Sequence, residues 1–312
     1  MPRVVKGSEA RWGTCSRTIS FDYPILALSY WNNTVAAGSW GPITILDAIT
    51  GSQIAILSGH DASVRCLTFS SDGKSLVSGG HDRTVKLWDM QTGGIVKTFY
   101  GHTSDISSVS ISADCTMVLS GSWDNTTCLW DVQTQKCLGI LKQQGFVDSV
   151  GFSPIDPQYI ISTSHGKVWQ WDVNSKQILP PYDGTHISFS PDHTQFALCN
   201  KRVVTVQNSD SRAIVAEFHV AKDTSYCCFS PDSRLIAAAA YNTAYVWDIA
   251  NLDPHLVETF VGHTSGITAL VFSSPSSLIS ASDDSSVKFW RIAALSTNPV
   301  ATDPNQLCLL CL

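Results

Sequence analysis

Apolar and polar residues alternate over short runs of five or six positions, and each run stops at a cluster of Gly, Asp, Ser or Asn. Val64-Arg65-Cys66-Leu67-Thr68-Phe69 is followed by Ser70-Ser71-Asp72-Gly73, and Ser75-Leu76-Val77-Ser78 by Gly79-Gly80-His81-Asp82. Val85-Lys86-Leu87-Trp88-Asp89 then leads through Gln91-Thr92-Gly93-Gly94 into Ile95-Val96-Lys97-Thr98-Phe99. Period-two runs bounded by tight-turn residues predict four short antiparallel strands joined as hairpins. The unit recurs seven times. Anchored on its Trp position the series is Leu46, Trp88, Trp130, Trp171, Val206, Trp247, Trp290, with steps of 42, 42, 41, 35, 41 and 43 residues.

A fixed period of this length, with four strands per unit, predicts the blades of an all-β, seven-bladed β-propeller. The length of 312 residues would otherwise suggest two domains, but all seven units are needed to close one ring. Residues 1–292 are therefore expected to form a single propeller. Residues 1–18 supply its closing strand and lead-in, since an open ring would leave an unpaired edge. Residues 293–312 are expected to be a disordered tail.

The internal pattern resembles the WD-repeat family over roughly residues 16–292. That resemblance implies a buried hydrogen-bonded tetrad of His, Ser, Asp and Trp in each complete blade. Three blades supply all four: His60, Ser78, Asp82 and Trp88; His102, Ser120, Asp124 and Trp130; His263, Ser280, Asp284 and Trp290. The others depart from it. Blade 1 has Leu46-Asp47, blade 4 has Gln143 for the His, blade 5 has Val206-Gln207 at the Trp-Asp place, and blade 6 reads Ala237 to Ala240 where the Ser belongs. The arc of blades 4 to 6 is expected to rely on apolar packing and to be the least stable part of the ring. Trp12 to Thr18, Tyr30 to Thr34, Gly145 to Pro157 and Leu256 to Phe260 also resemble the WD-repeat halves of fungal NACHT (STAND-type) proteins, which implies a sensor or partner-binding role. No Gly-x-x-x-x-Gly-Lys-Ser/Thr loop occurs in the sequence, so the nucleotide switch of such proteins is not within it, and the tail reads as a truncation of a longer parent.

Chemistry enters only weakly. The net charge is −6, and the densest basic spot is Lys201-Arg202, so no nucleic-acid partner is expected. No run of eighteen apolar residues occurs and no secretory segment opens the chain, which predicts no membrane span and a cytoplasmic protein. The ten cysteines lack zinc-site or disulfide spacing. Cys66, Cys128, Cys137, Cys199, Cys227 and Cys228 are expected to be buried, reduced strand residues, and Cys308-x-x-Cys311 is a weak metal or acylation signal. His165, His186, His193, His219 and His255 show no ligand spacing and are expected in solvated loops. No catalytic residue, metal or cofactor is expected, because the best-placed histidines are already committed to tetrads.

The expected partner is a protein or peptide, bound by a monomer. Loops at the Asp turns present Trp40, His81, Trp123, Tyr241 and Asp283, and the starts of the innermost strands present Arg65, Asp105, Ser107, Phe146, Asp148 and Thr268. Aromatics and Arg among scattered carboxylates are the composition of binding hot spots. The competing readings are a scaffold using several faces and an enzyme with a pocket at the channel mouth.

Overall fold

The structure, a computed structural model, describes residues 3–5, 14–153, 159–175, 177–250 and 253–293, and these contain strands and turns with no helix. Blade 1 comprises Ala27–Trp31, Thr34–Gly38, Ile43–Asp47 and Gln53–Leu57, and blade 2 comprises Val64–Phe69, Ser75–Gly80, Val85–Asp89 and Ile95–Phe99. Blades 3 to 6 repeat this four-stranded antiparallel meander, starting at Ile106–Ile111, Val147–Phe152, His186–Phe189 and Thr224–Phe229. Blade 7 has Ile267–Ser274, Ser277–Ser282 and Ser286–Arg291.

The outer strand of blade 7 comes from the other end of the chain. Cys15–Ser20 pairs antiparallel with Ser286–Arg291, Ile19 opposite Val287 and Thr18 opposite Lys288. A further short strand, Arg3–Val5, pairs outside it, so this blade has five strands. The closing strand runs two residues past the expected limit at 18, and residues 6–13 and 294–312 lie outside the described part. Closure by strands far apart in sequence ties the ring together, because Ser286–Arg291 would otherwise present an unpaired edge.

The core is distributed as seven apolar clusters, one between each pair of neighbouring blades. Trp88 packs between blades 1 and 2, and Ile19, Val287 and Ile279 of blade 7 pack on Ile25, Leu28 and Val35 of blade 1. Blades can come this close because one place in the second strand always holds a small residue. Pairing registers put Gly38, Gly79, Gly121, Thr163, Cys199, Ala239 and Ala281 there. A Cβ on Gly121 would lie 2.5 Å from Val147 Cγ1 and 2.8 Å from Val150 Cγ1, both in the next blade. The second strands are buried almost throughout and the third strands in large part, whereas the outer strands expose Ile54, Ile56, Leu138, Ile140 and Ile214 to solvent.

Candidate functional site at the channel mouth

The site rests on the tetrads, which fix the loops around one mouth of the central channel. In blade 2 the Trp88 indole N–H donates to Ser78 Oγ at 2.7 Å, and Ser78 lies 2.6 Å from His60 Nε2. His60 Nδ1 meets Asp82 Oδ2 at 2.7 Å. The only arrangement that satisfies every atom has the Ser hydroxyl donating to Nε2 and Nδ1–H donating to the carboxylate. Asp82 is anchored in turn by the N–H of Asp61 and by the N–H and hydroxyl of Thr84. Blade 3 repeats the chain through Trp130, Ser120, His102 and Asp124, and blade 7 through Trp290, Ser280, His263 and Asp284. Each chain superficially resembles a hydrolase triad. Its serine is fully buried and already accepts an indole N–H, so no substrate reaches it.

Two of the incomplete blades replace the tetrad with other contacts. In blade 4 the Gln143 amide donates to Ser162 Oγ, taking the place of the imidazole. In blade 6, Ala238 stands where Ser belongs, and Trp247 stacks on Phe218 at 4.7 Å and on Tyr245 at 5.7 Å within an apolar cluster. Blade 5 corrects the sequence reading. Phe196 pairs with Gln207 and Gln195 with Asn208, as Leu76 pairs with Trp88 and Ser75 with Asp89 in blade 2. The Trp-Asp place is therefore Gln207-Asn208, one residue later than Val206-Gln207. The physical reason is the turn that follows. Asp89 Oδ1 accepts the N–H groups of Gln91 and Thr92 and the Thr92 hydroxyl, and Asn208 Oδ1 does the same for Asp210 and Ser211.

The mouth itself is built by a backbone device. In blades 2, 3, 4, 6 and 7 the first strand carries a bulge at its second residue, and the bulged residues are Arg65, Ser107, Asp148, Ser225 and Thr268. A bulge leaves one residue out of the ladder and re-aims its side chain, here into the channel. With Leu26 and Thr185 at the same places in blades 1 and 5, these residues ring a cavity of about 480 Å³ that Trp123 and Asp283 also line. The Ser107 and Thr268 hydroxyls donate to the carbonyls of Val147 and Ile25, sealing each blade to the next. Leu26, Thr185 and Ser225 were not among the residues expected from sequence, although the repeat offset from Arg65 points to all three.

Most of the expected face residues come together, in two groups. The Arg65 guanidinium lies 4.5 Å from the Trp123 ring centroid, and Trp123 contacts His81 at 6.1 Å and Phe146 at 5.9 Å. His81 Nε2 approaches Asp105 at 3.7 Å. Across the mouth, Lys222 sits 4.3 Å over Tyr241, and Tyr241 and Asp283 both border Gly266. Trp40 stands apart, 63% exposed and stacked on Tyr23 at 6.3 Å. Burial raises the carboxyls of Asp148 and Asp283 above their ordinary range, and the charge of Arg65 offsets this only in part. Two further expectations are corrected. His186 is buried on the first strand of blade 5 rather than solvated, because that strand faces blade 6. Cys137 is exposed, because it lies on the outer strand of blade 3.

The tetrads also set an acid response. Burial alone would raise Asp82 and Asp284, but hydrogen bonds from His60 and Thr84, and from His263 and Ser286, hold both well below the usual carboxylate range. Asp124 is lowered in the same way by Thr126, Thr103 and His102. A carboxylate depressed in the folded state contributes stability that is complete above its unfolded pKa, about 3.9, and is lost as pH falls below it. Asp148 and Asp283 act with the opposite sign. The urea midpoint is expected to fall steeply below about pH 4 in the wild type and less steeply in Asp82→Asn. Equal slopes would count against the tetrad as the source.

Comparison with known proteins agrees with this geometry. The family model of the WD domain, G-beta repeat matches residues 51–89, 93–131, 214–248 and 254–291. The matches leave out 132–213, the stretch holding Gln143 and Gln207-Asn208. WD repeat-containing protein 37 of Homo sapiens is 33% identical over 82 residues, 26% of this chain and 16% of that protein. Target of rapamycin complex subunit wat1 of Schizosaccharomyces pombe is 28% identical over 149 residues, 42% of this chain and 43% of its own. Nuclear distribution protein PAC1-2 of Uncinocarpus reesii is 43% identical over 61 residues, 20% of this chain and 13% of that protein. The similarity thus spans less than half the length of each of these relatives. Repeat matches, three complete tetrads and seven interlocked blades together make this chain an all-β, seven-bladed β-propeller that carries WD40-type repeats.

Proposed function

We propose that this propeller is a non-catalytic recognition module that binds a peptide or folded protein across the channel mouth. The observation that carries this reading is the ring of bulged residues with the Arg65–Trp123–Phe146 ledge beside it. Aromatic and Arg side chains clustered at a preformed concavity suit a hot spot, and a rigid ring docks at low ordering cost. Asp148 and Asp283, both lining the mouth and raised by burial, favour a partner segment that brings a basic side chain to it. Binding is by a monomer in the cytoplasm. The more specific role is partner sensing in a fungal NACHT-type immunity or cell-death pathway, supported by the sequence resemblance at Trp12–Thr18 and Gly145–Pro157.

A second reading, an assembly scaffold, is favoured by the outer strands. Ile54, Ile56, Leu138, Ile140, Ile214 and Leu256 are each about half exposed or more, spread over four blades. The two readings separate in affinity capture from native extract with quantitative mass spectrometry. Wild-type protein is compared with a Trp40→Ala, Arg65→Ala, Trp123→Ala triple variant whose unchanged melting shows it to be folded. A partner lost only from the variant supports recognition at the mouth. An identical captured set in both overturns it and favours the scaffold.

A further inference from the structure

The join between blades 5 and 6 holds a cluster that the recognition reading does not use. His186 and Cys199 are directly paired on the first two strands of blade 5, and Cys227 comes from the first strand of blade 6. One donor atom from each lies within 4.8 Å of the others, and all three residues are buried. His186 Nδ1 is 3.5 Å from Cys227 Sγ, while its Nε2 is buried without a hydrogen-bond partner among the described residues. The imidazole is held edge-on to Tyr226 at 5.4 Å.

The fold explains how these donors meet. Cys199 occupies the small-residue place where Gly79 and Gly121 sit in blades 2 and 3, the point of closest approach to the next blade. A thiol there is pressed against the first strand of blade 6. Neither of these blades has a hydrogen-bonded tetrad, since blade 5 has Gln207 and blade 6 has Ala238 at the key places.

We propose that His186, Cys199 and Cys227 bind a thiophilic divalent metal ion of the Zn2+ type, which staples blade 5 to blade 6. Two thiolates and one imidazole are a known donor set for zinc with a fourth position open, and donors this close can meet at Zn–S and Zn–N bond lengths near 2.3 and 2.1 Å after small side-chain rotations. On binding, each thiol that still carries its proton releases it to solvent, His186 coordinates as the neutral ring, and two thiolates balance the divalent charge. Entry is provided by the channel. His186 lines the mouth cavity, and His186 and Cys227 both line a narrower one of about 70 Å³ that shares Arg65, Ser107 and Thr268 with it.

The test uses the full chain with Cys308 and Cys311 changed to Ser, so that the tail pair contributes nothing. The metal-depleted protein is titrated with Co2+ and then Zn2+ under reducing conditions. The expected result is a thiolate-to-cobalt charge-transfer band that saturates at one ion per chain and is displaced by Zn2+. A rise of several degrees in melting temperature with Zn2+ should accompany it. Cys199→Ala, Cys227→Ser and His186→Ala should each lose the band and the thermal shift, whereas Cys137→Ser should keep both. Cys199→Ala is expected to fold, since Ala239 and Ala281 fill the same place in blades 6 and 7. Absence of the band in the parent protein, or a band that survives Cys199→Ala, overturns the proposal.

Discussion

Replacing Ile19 by Asp is expected to cost roughly 3–5 kcal/mol and to open the ring. Ile19 is fully buried on the closing strand, opposite Val287, and packs among Ile25, Leu28, Val35 and Phe289. A carboxylate there would be buried in a cluster of apolar side chains, with the Arg17 side chain only at its edge. The blade-7 strand Ser286–Arg291 would then lose its outer neighbour and expose an unpaired edge. The variant should therefore associate as well as unfold early. Urea denaturation with light scattering measures both effects. Ile54→Asp is the control, because Ile54 is 58% exposed on an outer strand and should change stability by no more than about 0.5 kcal/mol. A loss under about 1 kcal/mol at Ile19 would mean that the closing strand contributes little to the ring.

Asp82→Ala and Asp124→Ala should each cost roughly 2–4 kcal/mol. Removing the Asp82 carboxylate deletes the acceptor for His60, Asp61 and Thr84 together. The imidazole left behind is almost completely buried, so its N–H has no water to turn to. Orphaning a buried donor costs more than the net worth of the bond itself, which is why the loss should exceed that of an exposed turn. Asp72 provides the comparison. It accepts from Ser70 and Lys74 on an exposed turn, and Asp72→Ala should cost about 1 kcal/mol or less. Losses below about 0.5 kcal/mol at both Asp82 and Asp124 would contradict the assigned network.

The parts of the fold legible in the sequence are those that one residue type specifies alone. Trp88, Trp130 and Trp290 with their His, Ser and Asp partners could be placed because no other set of residues builds that chain of bonds at fixed offsets. Arg65, Ser107, Asp148 and Thr268 were legible as strand starts, but the bulge that turns them into the channel is a backbone feature with no residue signature. Blade 5 was misplaced by one residue because Asn208 caps its turn as well as an Asp would, so the expected pair of letters is missing while its chemistry is kept. His186 was read as solvated because its partners are 13 and 41 residues away in sequence. Only the stacking of blade 5 on blade 6 brings them together. Trp40 was placed with the binding face by its repeat position, the place His81 holds in blade 2, and its ring packs on Tyr23 rather than in the Arg65–Trp123 ledge.

The most direct test of recognition at the channel mouth is calorimetric titration of the captured partner against three proteins. These are the wild type, Arg65→Ala with Trp123→Ala, and Ile54→Ser with Ile56→Ser on the outer strand of blade 1. The mouth variant is expected to weaken binding by at least about 30-fold, the loss typical of a hot spot, with the rim variant unchanged. A rim variant that loses the partner while the mouth variant keeps it would contradict the account.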